Sequence, residues 1–104
     1  MDSKKEIRIF DRLGKAIRYF VSLSEPTPDK ALIESIRLFE AVVKQDNRNE
    51  LLVPDLEGCL PKGIRAKHLA LACIAGLYKR LGDINKHQAY IKRTIYFENK
   101  YSAK

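Results

Sequence analysis

Residues Leu69–Tyr78 are apolar nearly all the way round a helix, and Leu81-Gly82-Asp83 ends that helix and starts another at once. A helix without a polar face has to be buried, with other helices packed around it. Gly82 supplies the left-handed residue that closes a helix, and Asp83 behind it is a preferred N-cap. Two helices joined that tightly are expected to pack as an antiparallel hairpin. The small residues Ala66, Ala70, Ala72, Cys73, Ala75 and Gly76 suit close approach by neighbours.

The same period continues on either side. From about Lys4 to Leu23, Phe10, Leu13, Ile17 and Phe20 form one apolar stripe, and Ser3 with Glu6 makes a capping box. Lys4, Arg8, Arg12, Lys15 and Arg18 fall on the opposite side, within a sector of roughly 120°. After Pro26, Thr27 is expected to cap a second helix, with Pro28 in its first position. That helix runs to about Gln45 on the stripe Leu32, Ile36, Phe39 and Val43. The third is expected from about Gly63 to Leu81, and the fourth from about Ile84 to Lys100. The fourth carries two apolar rows, Ile84-Ile91-Ile95 and Tyr90-Thr94-Phe97-Tyr101. Between the second and third helices, 46–61 holds five large aliphatic residues among Pro54, Gly58 and Pro61, and reads as a long ordered loop.

These elements define one all-α domain over residues 1–104, with four main helices as two antiparallel helical hairpins. Stacked hairpins and a four-helix bundle both satisfy the pattern.

The joint resembles a tetratricopeptide repeat. Leu71, Ile74, Ala75, Tyr78, Gly82 and Asp83 follow in order the large residue, the Leu-Gly pair, the tyrosine and the Gly-Asp turn of that repeat. His87, Ile91 and Thr94 depart from it, standing where a small, an aromatic and a second small residue are usual. Ile36 to Asp46 reads like the second helix of another such repeat, with Leu13-Gly14 and Ile17 on its partner. The resemblance implies two stacked hairpins and a role in binding protein partners.

The net charge of +7 is unevenly spread. Residues 1–45 carry nine Lys/Arg against seven Asp/Glu, 46–61 one against four, and 62–104 ten against two. The C-terminal part alone is therefore +8, which attracts acidic protein surfaces, phosphates or anionic lipid. The candidate partner-binding residues are Lys4, Arg8, Arg12, Lys15 and Arg18 on the first helix, with Lys79, Arg80, Lys86, Lys92 and Arg93 on the C-terminal hairpin.

Catalysis finds little footing. His68 and His87 stand alone, no Cys/His/Asp/Glu set has ligand spacing, and no Gly-rich phosphate loop occurs. The expectation is a non-catalytic module with neither metal nor cofactor. A protein partner is favoured, nucleic acid is the alternative, and self-association into a homo-oligomer stays open. Two cysteines, Cys59 and Cys73, in no zinc pattern suggest a reducing cytoplasmic setting. Arg8, Asp11 and Arg12 interrupt any signal-like run, and no stretch reaches the ~20 apolar residues that span a bilayer.

Overall fold

The computed structural model describes the backbone of residues 3–45 and 65–102, and the side chains of 11–45 and 65–100. Those residues form four helices, α1 (Ser3–Ser22), α2 (Asp29–Gln45), α3 (Ala66–Leu81) and α4 (Ile84–Ser102). The loop expected over 46–61, and the Ser3–Glu6 capping box, lie outside the described residues or side chains.

The apolar stripes meet as their spacing requires. Leu13 and Ala16 of α1, Leu32, Ile36, Phe39 and Val42 of α2, and Ala66, Ala70, Ile74 and Leu77 of α3 form one buried cluster. Ile17 and Phe20 pack against it, with the Phe20 ring edge-on to Phe39 at 6.0 Å and 79°. Each fully buried side chain of the size of Phe39, Ile74 or Leu77 contributes about 1.5–3 kcal/mol. Fully buried Ala66 and Ala70 let α3 lie close to its neighbours, whereas Ala72 and Gly76 are exposed and serve no such contact.

Two helix starts differ from expectation. Thr27 does not cap α2: its hydroxyl donates to the Ser24 carbonyl at 2.7 Å and accepts from Arg80 at 2.8 Å. The first turn of α2 closes instead on the Pro28 carbonyl, which accepts from the Ala31 and Leu32 amides. Arg65 is extended, so α3 begins at Ala66 rather than near Gly63.

The 81–83 joint forms as its sequence dictates. Gly82 is left-handed, with φ 89° and ψ 6°. Its amide donates to the Lys79 carbonyl and the Asp83 amide to the Tyr78 carbonyl, which satisfies two helix-end acceptors. The Asp83 carboxylate then accepts from the Lys86 amide at 3.1 Å and caps α4.

The helices follow one another as an open row. α1 lies along α2, α2 along α3 and α3 along α4, with a narrow contact between α1 and α3. Among the described residues α1 and α4 share no backbone contact. Among the described residues α4 thus sits at one end of the row, packed along α3 and reaching α2 through Tyr90 and Glu40.

Candidate binding surface

Of the two apolar rows on α4, the aromatic one faces inward. Phe97 is buried with its ring 5.9 Å from that of His68, and Tyr90 packs against the core. The Tyr90 and Thr94 hydroxyls on this row both find partners. The Tyr90 hydroxyl donates to Glu40 of α2 at 3.0 Å, and Thr94 donates to the Tyr90 carbonyl at 2.8 Å. His87 Nδ1 lies 2.8 Å from the Ala75 carbonyl of α3. Its ring therefore seats against a small residue of α3, which answers the question its bulk raises at that position. Burial, and next the Glu40 carboxylate, raises the Tyr90 phenol above its ordinary pKa of 10.0. Tyr78, 5.5 Å from Tyr90 ring to ring, is raised for the same reasons.

The isoleucine row is left outside. Ile84 is 52% exposed, Ile91 38% and Ile95 50%, and Tyr96 farther round the helix is 70% exposed. Four of the six large apolar side chains exposed among the described residues therefore lie on this one helix. At about 100° per residue the three isoleucines share a strip about 40° wide. Lys86 and Arg93 sit on the other flank of α4, over the rings of Tyr78 at 5.4 Å and Tyr90 at 4.8 Å. That flank is the one tied to α2 through Glu40, so the isoleucine row faces away from α2.

α3 is open on the same side. Its Ala75 is buried where its carbonyl meets His87 of α4, Leu71 is buried one turn before it, and Ala72 and Gly76, one position on from each, are exposed. A methyl group added at Gly76 would meet no atom within 4 Å. The two helices thus border a shallow trough, small residues along one wall and isoleucines along the other. Sequence patterning alone could not find it, because both rows of α4 have helical spacing and aliphatic or aromatic members. No local signal separates the two rows, because hydroxyls such as those of Tyr90 and Thr94 are satisfied by water or by their own helix as well as by a packed face.

The residues expected to form a basic surface divide. Side chains of Lys4 and Arg8 lie outside the described residues. Arg12, Lys15 and Arg18 are exposed on the outer face of α1, opposite Leu13, Ala16 and Phe20. Lys79 and Lys92 are exposed on α3 and α4. Arg80 is committed to structure, bonding Glu25 at 3.1 Å and Thr27 at 2.8 Å, and so fastens the α1–α2 linker to the end of α3. The basic residues of α1 and those of α4 occupy helices that share no backbone contact among the described residues.

No group of three His, Cys, Asp or Glu among the described residues is placed to hold a metal ion. Cys73 is half-buried, and burial pushes its thiol up to about 11, away from thiolate reactivity. A surface depression at the joint is lined by Asp29, Leu81, Gly82, Asp83, Ile84 and Asn85. No helix among the described residues is long and apolar enough to cross a membrane.

Comparison with family models, curated proteins and solved structures returns no match.

Proposed function

We propose that this chain is a small, non-catalytic, helical protein-interaction module, an adaptor or a subunit, that engages its partner along the α3–α4 edge. The observation that carries this is the exposed row Ile84, Ile91 and Ile95 on the helix that ends the row among the described residues. Clustered exposed apolar side chains with a polar rim are a mark of interaction surfaces. The likeness of the Tyr78-Gly82-Asp83 joint to a protein-binding repeat supports the same reading. The test is affinity capture from an extract of the source cells, with the wild-type chain compared with a variant carrying Ile84→Asp, Ile91→Asp and Ile95→Asp. A protein held by the first and released by the second is expected. Equal retention on both would move the interface elsewhere, and no retention on either would end the module reading.

A second reading, contact with nucleic-acid phosphates, draws on exposed Arg12, Lys15 and Arg18. It predicts binding to duplex or single-stranded probes that weakens steeply with salt. Separation of the α1 and α4 basic groups weighs against it, since one backbone would have to reach two helices that share no backbone contact among the described residues.

A further inference from the structure

We infer that the occupant of the α3–α4 trough is an acidic amphipathic helix of a partner protein, seated lengthwise as a fifth helix in the row. This inference rests on the module reading above and deepens it. Its basis is the juxtaposition of shape and charge. From Ile84 to Ile95 the row runs about 16 Å, or three turns, the contact length of a short helix laid in a groove. Exposed Ala72 and Gly76 leave room on the α3 wall for a backbone to come close. Isoleucines 52%, 38% and 50% exposed on the other wall supply apolar area to cover. The seat is the one that α3 already fills on α2 and α4 fills on α3.

Charge selects the occupant. Exposed Lys79 continues the Ala72-Gly76 row on α3, and exposed Lys92 lies next to the isoleucines on α4. Residues 62–104 hold ten basic side chains against Asp83 and Glu98. Arg80 pairs with Glu25 and Lys86 and Arg93 lie on the far flank of α4, so Lys79 and Lys92 are the charges that border the trough. A second copy docked face to face would bring Lys79 and Lys92 of one copy against those of the other, within two segments that are each +8, a like-charge encounter. A copy stacked head to tail would offer the outer face of α1, where exposed Arg12, Lys15 and Arg18 outnumber exposed Asp11. Both forms of self-association are opposed by charge, and a helix with an apolar stripe flanked by Glu and Asp is favoured.

The probe is a synthetic helix of about 18 residues with leucines on one face and glutamates on the other. Two controls are the same peptide with lysine at every glutamate position and a version broken by two prolines. Binding is followed by amide shifts of the isotope-labelled full chain. We expect the glutamate peptide to move Gly76, Ile84, Ile91 and Ile95, with at least about tenfold weaker binding of the Ile91→Asp chain. Added salt should weaken it several-fold. Ile91 is a surface residue, and unchanged circular dichroism of Ile91→Asp separates lost binding from lost fold. Equal binding of the lysine peptide, shifts confined to other helices, or no binding would overturn the inference. So would binding to anionic lipid vesicles alone, or a dimer by light scattering that Ile91→Asp dissolves. Capture of a cellular protein that the triple aspartate variant also retains would overturn this edge while leaving the module reading standing. Failure of both peptide and capture would remove the two together.

Discussion

Two glycines six residues apart on the same hairpin should respond to alanine with opposite signs. Gly82 holds φ at 89°, where an L side chain sets its Cβ against the following carbonyl. That costs about 1–2 kcal/mol. No other atom lies within 4 Å of the added methyl, so this backbone cost is the whole penalty. Gly76 lies inside α3, and its added methyl also meets nothing. There alanine gains helix propensity and restricts the unfolded chain, which together stabilise by about 0.5–1 kcal/mol. For a domain near 100 residues each kcal/mol moves the melting temperature by about 4–8 °C. Gly82→Ala should therefore melt lower than wild type by several degrees, and Gly76→Ala higher by a few. Urea midpoints at constant slope provide the independent check. The reasoning fails if Gly76→Ala destabilises, because a clash there means that something packs on the α3 wall. It fails equally if Gly82→Ala is neutral, because the joint then does not need a left-handed residue.

Three further outcomes follow from named contacts. The Tyr90 phenol is raised in the fold, so its contribution is complete below pH 10.0 and is lost as pH climbs toward the folded value. Tyr90→Phe should therefore flatten the loss of stability above pH 10.0, read as urea midpoints against pH, and an unchanged slope would discredit the Glu40 contact. Arg80→Ala should lower stability by about 1 kcal/mol and speed amide exchange at Ser24 and Glu25, since it frees the linker that Arg80 holds. Rapid alkylation of Cys73 at neutral pH, mapped by mass spectrometry, would contradict a half-buried thiol held near 11; slow labelling that quickens toward that pH is expected.

Much of the architecture was legible in the residues. Gly82 and Asp83 have one physical use each, a left-handed closure and a cap, and both are realised. The stripes Leu32-Ile36-Phe39 and Leu13-Ile17-Phe20 had one apolar side and so could face only one way. α4 was different. Its isoleucine row is the more hydrophobic by side chain, yet the row of Tyr90, Thr94 and Phe97 goes inside. Glu40 receives the Tyr90 hydroxyl there, and its position depends on α2, far away in sequence, while Thr94 is satisfied by the Tyr90 carbonyl of its own helix. The basic residues show the same limit. Nothing local distinguishes Arg80, tied to Glu25 across 55 positions, from Lys79 beside it, which stays exposed.

The central claim is that the isoleucine edge of α4 is open in the folded chain. Methyl resonances of isoleucine, measured with a soluble paramagnetic agent, test it most directly. Ile84, Ile91 and Ile95 should broaden as Ile33 does, which is 56% exposed, while Ile36 and Ile74, at 4% and 0%, stay sharp. Protection of Ile84, Ile91 and Ile95 to the level of Ile74 would contradict the account, because the trough would then be covered before any partner arrives.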